Sequence, residues 1–280
     1  MSVKIIADST CDLPADLLAR YDITLLPMSI GKGGQFFKDG VEITPKDIFV
    51  HVAAGGALCT TASANISEFD DCFTRYSAEY DAVVCITISS EISSCFQNAR
   101  LAAESFSNVF VVDSRNLSSG QGMLVLHGAY LAQQGLSGEE IARTLQQETD
   151  KVQSSFLLDQ LDYMRKGGRC SAVAALGANL MHLKPCIEVK DGRMGVSKKY
   201  RGSFEHCMVL YTKELLAHHP NARRDTVIVV HPDADRAAVD ATLRTLREDG
   251  RFEHIYESRT GCTVACHCGP NTIGVMFMDA

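Results

Sequence analysis

The sequence predicts an α/β fold in which an open parallel sheet occupies the first half of the chain. Three observations support this. Apolar runs of strand length alternate with segments of helical periodicity, several strands end in loops rich in Ser, Thr and Asp, and the two halves differ in charge. Residues 1–150 hold 9 Lys and Arg against 19 Asp and Glu, whereas residues 151–280 hold 18 against 15. We therefore predict two domains, covering residues 1–150 and 151–280.

The first domain is predicted to open with a buried strand and then to alternate helices with strands. Asp12 has the position of an N-cap for a helix that begins near Pro14, because proline is tolerated only in the first turn of a helix. The predicted strands are residues 3–7, 23–30, 81–88 and 109–112. The predicted helices begin near Pro14 and cover residues 45–54, 66–79, 94–105 and a segment that ends at 132.

The second domain is predicted to follow a connecting helix over residues 137–152. It contains a predicted hairpin over residues 185–196, since Asp191-Gly192 suits a two-residue turn. The other predicted strands are residues 155–158, 226–230, 252–256 and a last strand ending near 278. The predicted helices are residues 161–166, 172–181, 204–218 and 233–248.

The most informative segment is residues 86–97, where a buried strand gives way to four serines and then to a helix. Ser94 and Gln97 have the spacing of a capping box, which would leave the Ser93 hydroxyl free. Hydroxyls beside the free N–H groups of a helix N-terminus favour an anion such as a carboxylate or phosphate. Loops of this kind meet at the carboxyl ends of parallel strands, where ligands bind. The alternative is that these serines only cap the helix and fill the loop.

The composition argues against several classes of protein. No apolar run approaches the roughly 18 residues of a membrane span, and the N-terminus lacks a signal-peptide pattern, so the expected location is the cytoplasm, with no integral membrane segment. The net charge of −7 argues against nucleic acid or an anionic membrane as the main partner. The 11 cysteines form no CxxC pair and are expected to be reduced. Residues 266–268 (CHC) are a weak zinc pattern without a second ligand pair, so no metal site is predicted.

Motifs for nucleotide binding and hydrolysis are missing from the sequence. It contains no GxxxxGK[ST] loop, no GxGxxG fingerprint, no HExxH helix and no GxSxG elbow. A Ser–His–acid triad could still form from Ser93, His267 and an Asp, because triads are defined by geometry and not by sequence order. A serine hydrolase that acts on acyl esters is therefore an alternative function.

Short motifs spread over nearly the whole chain resemble those of the DegV family of bacterial fatty-acid-binding proteins. Their order and spacing together make the resemblance specific. The motifs are residues 8–14 (DSTCDLP) after the first strand, Asp113-Ser114 after a later strand, residues 166–169 (KGGR), Lys184-Pro185 and residues 267–270 (HCGP).

The resemblance implies two α/β domains with a long-chain acyl ligand in a tunnel between them. It implies a carrier, not an enzyme, which presents the carboxylate of a bound long-chain fatty acid to a separate ATP-dependent fatty acid kinase. No cofactor is implied other than the bound fatty acid. The small-residue helix predicted at 172–181 could leave room for the tunnel, although tight helix packing explains its composition equally well. A sensor or scaffold without an acyl ligand is a further alternative.

The resemblance also assigns residues to the fatty-acid carboxylate. The family binds it with a Thr-Ser motif and with a serine of an SSGLSGT motif, which here implies Thr60, Thr61, Ser93 and Ser94. Thr60 and Ser93 match the family, Thr61 replaces a serine, and Glu91 and Ser94 replace glycines. An acidic Glu91 beside an anion site is expected to weaken binding.

Two further residues are assigned to the phosphate or partner side of the site. Arg169 and His267 match a family arginine after Gly-Gly and a family histidine before x-Gly-Pro. Both are expected in Gly-rich loops. There a guanidinium and an imidazolium could neutralise a phosphoryl group during its transfer.

Overall fold

The computed structural model describes residues 2–174 and 183–280 and confirms a fold of two α/β units. Within the described residues the strands are β1 (Val3–Asp8), β2 (Thr24–Leu26), β3 (Ser29–Lys32), β4 (Gln35–Lys38), β5 (Thr60–Ala62), β6 (Ala82–Thr87), β7 (Val109–Asp113), β8 (Val152–Leu157), β9 (Leu183–Lys190), β10 (Arg193–Arg201), β11 (Ala222–His231), β12 (His254–Arg259) and β13 (Ile273–Asp279).

The helices of the described residues connect these strands. They are α1 (Ala15–Arg20), α2 (Pro45–Ala53), α3 (Ile66–Glu79), α4 (Cys95–Ala103), α5 (Ser119–Gln133), α6 (Gly138–Gln147), α7 (Asp162–Gly167), α8 (Ser171–Ala174), α9 (Phe204–His218), α10 (Arg236–Asp249) and α11 (Cys262–Cys268), with 3-10 turns at Ser9–Cys11 and Thr149–Lys151. The helix predicted at 172–181 falls largely on residues 175–182, which lie outside the described residues. Among the described helices, none has the length and apolarity needed to cross a membrane.

The first unit contains the predicted parallel sheet, with the strand order β2-β1-β6-β7. Every residue of β6 is buried, as expected for a strand covered by helices on both faces. The loops after β1, β6 and β7 meet at one edge of this sheet. The Asp8 carboxylate accepts from the Ile88 N–H at 2.7 Å, and Asp113 accepts from the Ser90 N–H at 3.1 Å.

The single strand predicted at 23–30 is wrong, because two strands of different sheets occupy that segment. β2 belongs to the parallel sheet, whereas β3 belongs to a small antiparallel sheet of order β4-β3-β5. Pro27 stands between them and has no N–H for a ladder bond, so the chain leaves the first sheet there. β4 and β5 were not predicted. Each is only three or four residues long, too short for a clear alternating pattern.

The second unit is built on a mixed sheet of order β10-β9-β8-β13-β11-β12. Only β11 and β12 pair in parallel among these neighbours, and the other pairs are antiparallel. The predicted hairpin with its turn at Asp191-Gly192 is confirmed as β9 and β10. Both turn residues have positive φ, as a two-residue hairpin turn of this kind requires.

Helix α5 joins the two units by packing against β1 and β6 of the first sheet and β8 and β13 of the second. It is buried on nearly all sides, and one hydrophobic cluster accordingly includes Ile5 and Val84 together with Phe156 and Met276. The predicted domain boundary at residues 150–151 falls just before β8. That boundary stays a prediction, because the shared core crosses it.

Candidate functional site

A cavity of about 690 Å³ lies between the two units. Its walls are largely apolar and come from both sheets and from α11. They include Met28, Ile88 and Phe96 of the first unit and Phe156, Val230 and Met276 of the second. The cavity can therefore remove much of the surface of a long apolar ligand from water.

Polar groups gather along one edge of this cavity. They come from the end of β5, the serine loop after β6, the loop after α7 and the last turn of α11. The residues are Thr61, Ser63, Ser90, Ser93, Ser94, Arg169 and His267. Five of the six residues assigned from the sequence thus line one cavity, while their roles stay predictions.

Thr60 is the assigned residue that the structure places elsewhere. It is exposed and is not part of the cavity wall. In the ladder with β3, Thr60 pairs with Gly31, and its hydroxyl oxygen would lie 2.5 Å from a Cβ added to that glycine. Because side chains alternate along a strand, the neighbouring Thr61 faces the cavity instead.

The serine loop does not form the predicted capping box. Ser94 is the N-cap residue of α4, but its side chain makes no cap bond, and its Oγ lies 2.7 Å from Ser63 Oγ. The prediction that the Ser93 hydroxyl is free is wrong, because its Oγ accepts from the Cys95 N–H at 3.3 Å, although its O–H can still donate. The first N–H groups of α4, from Phe96 and Gln97, have no partner within the helix, and both residues line the cavity.

Glu91 does not present an uncompensated charge to this edge. Its carboxylate lies 2.7 Å from Arg193 Nη2 and 3.4 Å from Arg115 Nη1. The hydrogen bond from Arg193 and the charges of both arginines hold the pKa of Glu91 below its ordinary value. The expectation that Glu91 weakens anion binding neglected these two cations, which no local pattern connects to it.

His267 lies in the last turn of α11, so its predicted place in a loop is wrong. Burial, followed by the charge of Arg169, lowers the pKa of His267 to about 4. The imidazole is therefore neutral near pH 7, and the expected imidazolium is wrong as well. The Nε2 atom lies 2.8 Å from Thr61 Oγ1, whereas the Nδ1 atom is buried and has no partner in the described residues.

The contact between His267 and Thr61 bears on the hydrolase alternative. In the described residues no hydrogen bond joins Ser93 to His267, since the histidine bonds Thr61 instead. The two residues therefore lack the nucleophile–base contact that a serine hydrolase requires. In the same part of the chain, no cluster of three His, Cys, Asp or Glu side chains could hold a metal ion.

Arg169 follows the glycines that end α7 and is exposed at the cavity edge. Its Nη1 donates to the Gly167 carbonyl at 2.9 Å, which leaves the other N–H groups of the guanidinium available to a ligand or partner. A Cβ added to Gly167 would lie 2.5 Å from His267 Nδ1. The glycine therefore allows the Arg169 loop to approach the histidine closely.

Two buried carboxylates that sequence reasoning missed hold α11 in place. Asp39 accepts from the Cys262 N–H at 2.7 Å and from the Thr263 N–H and Oγ1 at 3.1 and 2.6 Å. Asp12 accepts from the Gly261 N–H at 2.6 Å, so its predicted role as a helix cap is wrong. No sequence pattern near Asp39 predicts this role, because its partners in α11 lie more than 200 residues away.

Comparisons with known proteins agree over the whole chain. A protein-family model described as an uncharacterised protein of the DegV family matches residues 2–280. The chain is 31% identical over 279 residues to a DegV domain-containing protein of Clostridium acetobutylicum, covering 99% of this chain and 98% of that protein. It is 28% identical to a Thermotoga maritima protein named fatty acid-binding protein, covering 98% of this chain and 96% of that protein. A solved structure described as fatty acid binding of a DegV family protein from Thermus thermophilus matches with a TM-score of 0.91 and 29% identity, covering 100% of both chains.

Proposed function

We propose, on the premise that this chain belongs to the DegV family, that it binds a long-chain fatty acid in the cavity between its two units. The observation that carries the proposal is an apolar cavity of about 690 Å³ with hydroxyl groups along one edge. The Thermotoga maritima relative is named fatty acid-binding protein, and the Thermus thermophilus structure is described as fatty acid binding of a DegV family protein. Both descriptions support the same ligand class.

Burial of the acyl chain supplies the main part of the binding energy. A chain of about sixteen carbons gains roughly 0.8 kcal/mol per buried CH₂, on the order of 11 kcal/mol before the costs of association. The head group then needs only a few neutral donors. Apolar walls from both sheets provide the surface against which the chain packs.

The carboxylate is proposed to lie at the polar edge of the cavity. The hydroxyls of Thr61, Ser93 and Ser94 face this edge, and α4 directs its first N–H groups there. Neutral donors suit a carboxylate, because hydrogen bonds to a charged acceptor are stronger than those between neutral groups. With the tautomer that carries its proton on Nε2, His267 would donate to Thr61 Oγ1 at 2.8 Å and leave the Thr61 O–H to donate to the carboxylate.

Lipid extraction tests this proposal directly. Purified protein extracted with organic solvent, and examined by native mass spectrometry before extraction, should yield a fatty acid in near-stoichiometric amount. Recovery of no fatty acid from several preparations would contradict the proposal and would favour a sensor or scaffold.

The Ser93→Ala variant tests the position of the carboxylate. Loss of one hydrogen bond to a charged group should weaken fatty acid binding by about 1–3 kcal/mol. Thr60→Ala is the matched control, since Thr60 neighbours the site in sequence but lies outside the cavity wall. A titration in which Ser93→Ala binds as tightly as the unmodified protein would remove Ser93 from the site.

We further propose that a separate ATP-dependent fatty acid kinase acts on the bound carboxylate. Such a kinase must bring an anionic nucleotide to the polar edge, where Arg169 exposes a guanidinium. Arg169 would neutralise the transferred phosphoryl group, while the neutral His267 would act as a hydrogen-bonding group and not as a cation.

Kinase-dependent formation of acyl phosphate tests this second proposal. Arg169→Ala and His267→Ala should each abolish acyl phosphate formation and leave fatty acid binding within a few-fold. Arg165→Ala is a matched control, because Arg165 is an exposed arginine of α7 that does not line the cavity. Loss of binding or of folding in the first two variants would show that these residues are structural.

A further inference from the structure

Asp8 ends β1 next to the start of the serine loop, and its side chain is fully buried. Its Oδ2 accepts from the Ile88 N–H at 2.7 Å, and its Oδ1 accepts from the Thr10 N–H at 3.1 Å. Ile88 lines the cavity and directly precedes the serines, whereas Asp8 is not part of the cavity wall. Asp8 therefore holds the start of this loop without offering itself to a ligand.

Two oxygen atoms beside Thr10 compete for a single hydroxyl proton. Thr10 Oγ1 lies 2.5 Å from Asp8 Oδ1 and 2.8 Å from Gln121 Oε1, yet Thr10 has one O–H and can donate to only one of them. The other end of the Gln121 amide fixes its orientation, because Nε2 donates to the Ile86 carbonyl at 3.0 Å. The amide oxygen of Gln121 therefore faces Thr10 and needs a donor there.

A proton on Asp8 removes this conflict. If the carboxyl is ionised, Thr10 donates to it, and the Gln121 oxygen faces another oxygen at 2.8 Å without a proton between them. If Oδ1 carries a proton, Asp8 donates to Thr10 and Thr10 donates to Gln121, so each oxygen in the chain has a partner. A separation of 2.5 Å suits such an O–H···O bond. Oδ2 accepts from the Ile88 N–H in either state.

Within the described residues, the surroundings of Asp8 provide no cation that would stabilise an ionised carboxyl. The titratable groups that face it are Cys11 and Asp12 of the turn after β1, Cys85 of β6 and Cys95 of α4. A negative charge on Asp12 would itself oppose ionisation of Asp8. Burial is the main cause that raises the pKa of Asp8 above its ordinary value, and its hydrogen bonds oppose this rise.

Asp39 shows how the same fold accommodates a buried carboxyl with enough donors. It receives hydrogen bonds from the N–H groups of Cys262 and Thr263 and from the hydroxyls of Ser9 and Thr263. In the described part of the chain neither hydroxyl lies beside a second acceptor. An ionised Asp39 is therefore fully paired, whereas an ionised Asp8 would leave an acceptor without a donor.

We propose that Asp8 is a neutral carboxylic acid in the folded protein and acts as a positioning residue for the proposed fatty acid site. This inference rests on the proposed function and deepens it. The acid holds the end of β6 directly at Ile88 and, through Thr10 and Gln121, at Ile86. It also keeps a buried negative charge away from the loop that receives the ligand carboxylate.

The charge of Asp8 bears on the proposed contact at Ser93. Asp8 faces Cys95, whose N–H donates to Ser93 Oγ at 3.3 Å, and it bonds Ile88 at the other end of the serine loop. Ionisation of Asp8 would repel a carboxylate at this loop, and it would also break the chain of hydrogen bonds through Thr10. The neutral acid is thus the form that suits binding.

The variant Asp8→Asn tests the protonation state through stability. An amide can donate to Thr10 Oγ1 and accept from the Ile88 N–H, and it gives up only the 3.1 Å bond from the Thr10 N–H. Urea unfolding of both proteins between about pH 4 and pH 8 gives the difference between them. Effects of other titrating groups are common to both proteins and cancel.

The sign of this difference decides the question. Asp8 has a pKa of about 3.9 when unfolded, and a neutral acid in the fold has a higher one, so its contribution is full below pH 3.9 and is lost as the pH rises through the folded pKa. The unfolding constant of the unmodified protein should rise about tenfold per pH unit relative to Asp8→Asn in that interval. A change in the opposite direction, no change, or failure of Asp8→Asn to fold would overturn the inference.

Infrared difference spectroscopy detects the proton itself. The spectrum of the unmodified protein minus that of Asp8→Asn, taken at about pH 7, should contain the C=O stretch of a protonated carboxylic acid. A difference spectrum that contains only the bands of an ionised carboxylate would overturn the inference.

Titration of both delipidated proteins with palmitate tests the positioning role. Because the ligand ionises alike in both titrations, the ratio of the two dissociation constants isolates Asp8. This ratio should stay constant while the acid band persists, and the unmodified protein should bind about threefold or more weakly once carboxylate bands replace it. A ratio that stays constant through that replacement would overturn the positioning role. Failure of the unmodified protein to bind palmitate would overturn the fatty acid proposal and the positioning role with it, while the infrared spectrum would still decide whether Asp8 is neutral.

Discussion

Carboxylates join the two units at two places, one buried and one at the surface. At the buried junction, Asp12 and Asp39 of the first unit accept hydrogen bonds from residues 261–263 of the second. At the surface junction, Glu91 of the first unit pairs with Arg193 of the second, with Arg115 alongside. Similar chemical groups therefore serve the same purpose in two different environments.

The groups that pair with the carboxylates differ between the buried junction and the surface junction. Asp39 is 2% exposed, and its donors are neutral N–H and O–H groups, including Ser9 Oγ at 3.0 Å. Burial raises the pKa of Asp12 well above its ordinary value, and the bonds from Ser118 and Gly261 oppose this rise. Glu91 is exposed and pairs with cations, whose attraction is weakened by water and salt.

The surface junction also includes hydrogen bonds to backbone carbonyls at the tip of the β9–β10 hairpin. Ser89 Oγ donates to the Gly192 carbonyl at 2.8 Å, and Arg115 donates to the Asp191 carbonyl. Gly192 is required there because its φ is positive and a Cβ would lie 2.6 Å from Ser89 Oγ. The junction thus connects the serine loop to a hairpin whose Met194 lines the cavity.

The two junctions therefore have different roles. The buried junction fixes the start of α11, and α11 carries Thr263 and His267 to the cavity wall. The surface junction holds the serine loop against the hairpin with contacts that salt can weaken. We expect mutations at the first to affect folding and mutations at the second to affect the ligand.

Truncation of Asp39 should have the largest effect. Asp39→Ala leaves several buried donors of Ser9, Cys262 and Thr263 without an acceptor, so we expect a loss of more than about 3 kcal/mol in the free energy of unfolding. Urea unfolding followed by circular dichroism measures this loss. Glu91→Ala, the equivalent truncation at the surface junction, is the control and should shift the midpoint far less. Similar losses in both variants would show that the two junctions contribute equally to the stability of the fold.

The stability of the protein should also depend on pH through the buried His267. The pKa of His267 is about 4 in the folded protein against about 6.5 when unfolded, so the fold favours the neutral imidazole. This contribution is fully present above pH 6.5 and is lost as the pH falls toward 4, by about 3 kcal/mol in total. Urea unfolding between about pH 7 and pH 4 should therefore show a steeper loss for the unmodified protein than for His267→Gln. Parallel curves would show that His267 is not held neutral by the fold.

Short sequence patterns correctly predicted the helices, strands and turns that are determined by neighbouring residues. The helix predicted at 66–79 is confirmed as α3, where Asn65 and Glu68 form a capping box. The strand predicted at 81–88 is confirmed as β6, and Asp191-Gly192 is confirmed as the hairpin turn. In each case the residues that determine the element lie within it or next to it.

The elements that escaped prediction depend on distant residues. α11 is seven residues long and contains three cysteines and two β-branched residues, so its own propensity is weak, and Asp39 stabilises its start from 223 residues away. Asp12 has the spacing of a cap, but Gly261 and Ser118 bind its carboxylate instead. The choice of Thr61 over Thr60 follows from the pairing of β5 with β3, which a three-residue strand does not reveal.

Neutralising Glu91 should have the smallest effect of these changes. It should alter the rate of ligand dissociation rather than the stability of the fold. Glu91→Gln removes the charge that pairs with Arg193 and Arg115, so the serine loop and the hairpin separate more easily. We expect a bound fatty acid to dissociate about two- to fivefold faster at low ionic strength, the range typical of an exposed ion pair. The difference should vanish near 1 M salt, where the screening length is about 3 Å and the unmodified protein has lost the same attraction. Stopped-flow displacement of a fluorescent fatty acid measures the rate.

Glu214→Gln is the matched control, because Glu214 pairs with Lys198 of the same hairpin and does not line the cavity. If Glu91→Gln and Glu214→Gln release the ligand at the same rate, the surface junction has no part in retaining it.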